Sequence, residues 1–228
     1  MKTAALIVAG GSGKRMNRSI SKQYLELKGK PILAYTIEKF QIPEIDEIVV
    51  VIKKDDEDIF RREITERYGF ENIKTVYGGK ERADSVVNGL KALSEDTDTV
   101  LIHDGVRPFV SRETILENIE KAEEFGAVLT AVPSKDTVKI AENGFVKDTP
   151  QRTNVYLAQT PQSFRKEIIA EAYKNAGTSE RITDDSMAAE AYGKDVYIVE
   201  GTYDNIKITT EEDLPIGEKI IESQMNLR

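Results

Sequence analysis

Short, unbroken runs of β-branched and other apolar residues recur along this chain, each followed by a stretch whose apolar positions have helical spacing. Ile48–Ile52 (IVVVI) and Thr99–His103 (TVLIH) show the pattern most plainly, and Ala4–Ala9, Ile73–Tyr77 and Ala127–Val132 repeat it. Between them, Pro31–Phe40, Asp55–Tyr68, Glu81–Leu93 and Arg112–Phe125 read as helices. A strand with one wet face alternates apolar and polar residues, whereas a strand apolar at every position is covered on both faces. Such strands, separated by helices, predict an α/β fold with a mostly parallel twisted sheet and helices on both faces. Repeats, low-complexity tracts and Pro/Ser linkers are missing, so residues 1–228 read as a single domain. One segment breaks the rhythm. Ser134–Tyr156 has partial alternation, an Asn143-Gly144 turn signal and few large apolar residues. It predicts a β-arm at 134–156, either an edge hairpin on its own domain or an extension that packs on another subunit.

Composition removes whole classes of chemistry. The chain has no Cys, which excludes disulfides, cysteine nucleophiles, thiolate zinc sites and iron–sulfur clusters. It has one His, His103, so serine-hydrolase triads and multi-histidine metal sites are disfavoured. What remains is Asp, Lys, Arg and backbone amides, with hard metals such as Mg²⁺. The formal net charge of −8 argues against a nucleic-acid or anionic-membrane partner. No apolar stretch approaches the roughly 18 residues that span a bilayer, and the short N-terminal run ends in glycines rather than in a cleavage site. The expectation is a cytoplasmic protein.

Several motifs sit where strands should end. Gly10-Gly11-Ser12-Gly13-Lys14-Arg15-Met16 follows the first strand directly. Glycines let a backbone approach phosphate and point amides at it, and Lys14, Arg15 and Lys22 would neutralise the charge. The run is not a P-loop. As a dinucleotide fingerprint it has Met16 at the third glycine position and only Glu38, inside a helical pattern, as the distant acid. His103-Asp104-Gly105-Val106-Arg107-Pro108 closes the TVLIH strand, and ligands of parallel sheets lie beyond the carboxyl ends of the strands. Asp104 there reads as a Mg²⁺ ligand beside a polyphosphate, or more plainly as a turn carboxylate paired with Arg107. His103 reads as a hydrogen-bonded packing residue. Gly78-Gly79-Lys80-Glu81-Arg82-Ala83-Asp84-Ser85 allows close approach of a ligand, or is a helix start whose acids suit the dipole. Thr160-Pro161 reads as a turn, Thr183 as a helix N-cap, and Lys207 as a strand residue.

Taken in order, the strings AGGSGKRM, SKQYL, GGKERADSV, HDGVRPF, DTVK, AQTPQSF, ITDD and NIKITTEEDL resemble 2-C-methyl-D-erythritol 4-phosphate cytidylyltransferase, from Ala9 to Leu214. A sister family, ribitol-5-phosphate cytidylyltransferase, shares the doubled glycine and QTPQSF; ERADSV, DTVK and Asp184-Asp185 favour the former. Ser21 stands where this loop usually has Pro. The resemblance implies a Rossmann-like nucleotidyltransferase domain and a homodimer with interlocking arms. It implies that Arg15, Lys22 and Lys207 are catalytic, and that Asp104 binds Mg²⁺ shared with CTP. Ala9, Gly10, Gly11, Gly13, Gly79, Lys80 and Ser85 would bind the nucleotide, Lys80 through its backbone. Arg107, Thr160, Thr183 and Lys207 would bind the sugar-alcohol phosphate, with Thr137 and Arg152 supplied by the partner's arm. The implied reaction, attack of a phosphate monoester on the α-phosphorus of CTP, suits this composition. The monoester is mostly ionised at pH 7, its second pKa being about 6, so no general base is needed. A nicotinamide-dependent oxidoreductase and a non-catalytic nucleotide sensor are the competing classes. The former lacks its fingerprint, and the latter would not need the full set of cations.

Overall fold

The structure, a computed structural model, describes residues 1–11, 21–176 and 182–226. The apolar runs become the expected strands: β1 (Thr3–Val8), β4 (Glu47–Ile52), β5 (Ile73–Tyr77), β6 (Thr99–Asp104) and β7 (Ala127–Pro133). A two-residue hairpin, β2 (Glu26–Leu27) and β3 (Lys30–Pro31), intervenes after β1. Helices α1 (Ile32–Phe40), α3 (Arg82–Ala92) and α4 (Arg112–Phe125) fall within or on the predicted stretches. Asp55–Tyr68 is not one regular helix. It is a 3₁₀ turn, Lys54–Asp56, then α2 (Glu57–Phe60), then a π-helical turn, Arg61–Glu66.

The main sheet has seven strands in the order β11-β7-β10-β6-β1-β4-β5. β1 pairs parallel with β4 and β6, β4 with β5, and β11 (Tyr197–Glu200) with β7. β10 (Tyr156–Arg165) runs antiparallel to both β6 and β7. It is also where the sequence reading fails, because Thr160-Pro161 lies inside this strand, at a register shift between Ala158 and Gln162, and not in a turn.

Every residue of β6 is buried, as are five of the six in β1 and in β4. Alternation along them feeds two cores. Ala4, Leu6, Val49, Val51, Val100 and Ile102 face α3, α5 (Lys166–Ala176) and α6 (Asp185–Ala191). Ala5, Ile7, Val50, Ile52 and Leu101 face α1, the π-helical turn and α4. Gly89 lets α3 lie close on β1, since a Cβ there would come within 2.3 Å of Leu6 Cδ1. That contact sets the N-terminus of α3 beside the strand ends. A smaller cluster, Leu27, Ile32, Val106, Phe109, Ile208 and Ile221, lies under α7 (Asp213–Asn226) and fixes the Ile206–Ile208 segment beside the loop after β6.

The 134–156 segment is the predicted hairpin, β8 (Ile140–Glu142) and β9 (Phe145–Asp148), turning at Asn143 (φ 52°) and Gly144 (φ 82°). Two consecutive positive φ values are the mark of the tight primed turn that Asn-Gly favours. All seven residues of the two strands are exposed. None of the described helices is long and apolar enough to cross a membrane.

Candidate functional site

A cleft of about 410 Å³ opens at the carboxyl ends of β1, β4 and β6. Ala9, Gly10 and Gly11 form one wall, Gly79, Lys80 and Ser85 another, and Lys22, Asp104 and Lys207 reach into it. Strand order thus brings these nine residues, from loops that lie far apart in the chain, around one cleft. Among the described residues, a Cβ on Gly10 would come no nearer than 3.7 Å to any atom, and on Gly11 would meet nothing within 4 Å. Packing among the described residues does not demand glycine at either position, and both line the cleft. Gly79 differs, because a Cβ on it would collide with Asp84 at 2.2 Å. Its N–H donates to Ser85 Oγ at 3.1 Å, and that hydroxyl donates to the Glu81 carbonyl. The α3 start is a capping box in which the Glu81 and Asp84 side chains bond reciprocally to backbone N–H groups. The motif is thus a capped helix start, and its Gly79, Lys80 and Ser85 also line the cleft.

Asp104 is the electrostatic centre. Its side chain is 9% exposed and faces three cations: Lys207 Nζ lies 2.7 Å from Oδ2, Arg82 Nε 3.4 Å from Oδ1, and Arg107 Nε 3.7 Å from Oδ2. Burial pushes the carboxyl up, but Arg82, Lys207 and Arg107 together outweigh it and hold the group well below the usual carboxylate range. Asp104 is therefore the turn carboxylate paired with Arg107, and it also lines the cleft.

Behind Asp104 stands a buried network that the sequence reading missed. Arg82 grips fully buried Asp185 with two N–H···O bonds, 2.9 and 2.7 Å, and the Tyr173 hydroxyl donates to the same carboxylate at 2.5 Å. Asp184, not Thr183, caps α6, accepting from the Met187 N–H at 2.9 Å. Gln162 accepts from the Ser186 N–H at 2.7 Å and donates to Asp184 at 3.3 Å, tying α6 to β10. The signal was present as an Arg in the first turn of a helix and an adjacent acidic pair, but each had a sufficient local explanation as a cap.

His103 is fully buried, and burial lowers its pKa to about 4, so the ring is neutral near pH 7. Its Nε2 lies 2.9 Å from the Arg107 carbonyl and must donate there, which leaves Nδ1 to accept. The Thr160 hydroxyl donates to Nδ1 at 3.1 Å and accepts the Asp104 N–H at 3.0 Å. Thr160 is 4% exposed, does not line the cleft, and sets the backbone of Asp104. Arg107 donates to the Asn205 carbonyl at 2.7 Å, and Asn205 Nδ2 donates to the Thr160 carbonyl at 2.9 Å. These contacts bind the loop after β6, β10 and the segment carrying Lys207 into one unit.

Thr183 is exposed and lies outside the cleft lining. Thr137 and Arg152 are exposed at the two ends of the arm; Arg152 Nη1 donates to the Lys135 carbonyl at 3.2 Å, which joins those ends. Neither lines the cleft of its own chain. Gly13 and Arg15 lie outside the described residues.

Comparison with known proteins bears directly on this geometry. Residues 3–223 match the family model described as IspD: 2-C-methyl-D-erythritol 4-phosphate cytidylyltransferase. The 2-C-methyl-D-erythritol 4-phosphate cytidylyltransferase of Clostridioides difficile (strain 630) is 51% identical over 220 residues, covering 96% of this chain and 93% of that one. The protein of the same name from Clostridium botulinum (strain Loch Maree / Type A3) is 50% identical over 225 residues, covering 97% and 98%. Among solved structures, 4-diphosphocytidyl-2C-methyl-D-erythritol synthase from Anaerococcus prevotii DSM 20548 superposes with a TM-score of 0.86 at 44% identity, covering 97% of this chain and 96% of that chain. By sequence and by fold, this chain belongs to the 2-C-methyl-D-erythritol 4-phosphate cytidylyltransferase family.

Proposed function

We propose that the Asp104 cleft carries out its family's reaction, transfer of a cytidylyl group from CTP to 2-C-methyl-D-erythritol 4-phosphate with release of pyrophosphate, by cancelling negative charge. The observation that carries this reading is the cluster of Lys207, Arg82 and Arg107 around one buried carboxylate, next to glycines that leave room for phosphate. An acceptor phosphate oxygen attacks the α-phosphorus, the bond to the bridging oxygen breaks, and its electron pair departs with pyrophosphate. No proton has to be removed from the nucleophile, in keeping with a cleft that lacks a histidine. The obstacle is repulsion, about 4 kcal/mol for each pair of unit charges 4 Å apart at an effective dielectric of 20. Lys22 and Lys207 offset it. The ammonium groups are mobile point charges, able to follow charge as it moves from the α-phosphoryl group to the leaving pyrophosphate. The buried bonds of Thr160, Asn205 and His103 keep this site from relaxing.

Asp104 is the residue that would hold Mg²⁺. Among the described residues no group of three or more His, Cys, Asp or Glu side chains is placed to bind a metal. A single carboxylate ligand such as Asp104 fits Mg²⁺, which keeps most of its ligands as water and phosphate oxygens. Bound there, it would neutralise phosphate charge.

The exposed arm supports a homodimer. Ile140, Phe145 and Val146 are 52%, 74% and 62% exposed, and a partner subunit would cover them. Thr137 and Arg152 would then serve the partner's sugar-phosphate pocket. We place the enzyme in the cytoplasm.

The test is pyrophosphate release from CTP with each sugar phosphate in turn. Methylerythritol phosphate should be turned over far faster than ribitol 5-phosphate, and equal rates would overturn the assignment.

A further inference from the structure

Lys53 is a cleft residue that the motifs did not point to. It follows β4 directly, and β4 lies beside β1 with Val51 opposite Val8, so Lys53 leaves the sheet next to the Ala9–Gly11 turn. It lines the same cleft as Lys22 and Gly10. Its Nζ lies 3.5 Å from Ser21 Oγ, and among the described residues it has no carboxylate within 4.0 Å. Lys207, across the cleft, is by contrast held by Asp104.

A clasp sets Lys53 and Lys22 on one side of the cleft. Ser21 Oγ meets both Lys53 Nζ and Asp56 Oδ1 at 3.5 Å. Gln23 Nε2 donates to Asp56 Oδ2 at 3.2 Å and to the Ala9 carbonyl at 2.7 Å. The segment after β4, the Lys22 turn and the end of β1 are thereby tied together, and Lys22 and Lys53 line the cleft with the glycine turn. In a chain of net charge −8, cations gathered at one opening favour a polyanion there.

We propose that Lys53 is a further nucleotide-binding residue, which takes the outer phosphates of CTP beside Lys22. The inference rests on the reading of this cleft as the CTP site. Lys53 shares Ser21 with the turn that carries Lys22, the residue read here as a triphosphate ligand, so it contributes to holding CTP and little to holding CMP, which lacks the outer phosphates.

Calorimetric binding of CTP and of CMP to the full-length protein tests this, with K53M and K53R beside the wild type. Lys53 is half-buried and Met keeps its stem, so the fold should survive, as a melting curve will show. K53M should weaken CTP roughly five- to tenfold, the scale of one unit charge about 4 Å from a phosphate in a largely solvated cleft. CMP affinity should hold, K53R should restore CTP binding, and the salt dependence of CTP binding should be shallower in K53M. Wild-type CTP affinity in K53M, or equal losses for CTP and CMP, would overturn the role of Lys53 while leaving the CTP site intact. A wild-type protein that binds no CTP would overturn the reading of the cleft and this inference with it.

Discussion

Two regions of this molecule treat their side chains in opposite ways. At the carboxyl ends of the strands, charged groups are buried and matched: Asp104 with Lys207, Arg82 and Arg107, and Asp185 with Arg82 and Tyr173. Along 134–156, apolar groups are exposed, with Phe145 74% accessible. The first region is completed within its own chain, and its partners come from positions as far apart as 82 and 185. The second presents Ile140, Phe145 and Val146 to solvent, from which an isolated hairpin, marginal in water, gains little. The charge network is thus complete among the described residues of one chain, whereas the arm leaves apolar side chains in solvent.

Four measurements would break or sharpen that contrast. The largest effect is expected from Asp185→Ala, which leaves Arg82 partly buried without its bidentate partner and deprives the Tyr173 hydroxyl of its acceptor. A loss of about 3–5 kcal/mol in denaturant unfolding is expected. A loss below about 1 kcal/mol would mean that the network is not a structural unit.

Acid comes next. The folded pKa of His103, about 4, lies below the 6.5 of an unfolded histidine, so the unfolded chain takes the proton first. The contribution of His103 is complete above pH 6.5 and is lost as pH falls from 6.5 to 4, roughly 3 kcal/mol in all. Because this is the only histidine, the same pH scan on His103→Asn should show a shallower fall over that window.

Lys207→Ala should lower turnover by roughly 10²-fold, on the scale of one preorganised electrostatic donor. Near-normal turnover would remove Lys207 from the chemistry and leave it only as the partner of Asp104. The smallest effect on monomer stability is expected from Phe145→Ser, within about 0.5 kcal/mol. Sedimentation should nonetheless show a weakened dimer, and an unchanged association state would return the arm to an ordinary edge hairpin.

How far the sequence could be read depended on whether a residue's role was local. Ile48–Ile52 and Thr99–His103 announced buried strands because burial on both faces demands apolar residues at every position, and both lie within central strands of the sheet. Gly10-Gly11 and Asp104 could be placed because strand ends converge. Thr160 could not be understood that way. Thr-Pro is turn-like in isolation, and only the antiparallel pairing of β10 puts it in a strand where its hydroxyl joins Asp104 to His103. Arg82 and Asp185 were hidden for a related reason. Each is plausible as a first-turn helix residue, and nothing local signals that the two meet. Asp55–Tyr68 kept helical spacing but changes from 3₁₀ to α to π winding, for which the spacing gives no warning.

The reversed direction of β10 has a consequence for how this enzyme can vary. β7 finishes, and β10 begins, at the edge where the cleft opens, so the whole of 134–156 is an excursion that leaves and returns at the rim of the cleft. Parallel neighbours would have needed a crossover from one edge of the sheet to the other. As built, the excursion can be lengthened or given new side chains without shifting any core strand, and whatever it grasps is seated at the mouth of the pocket.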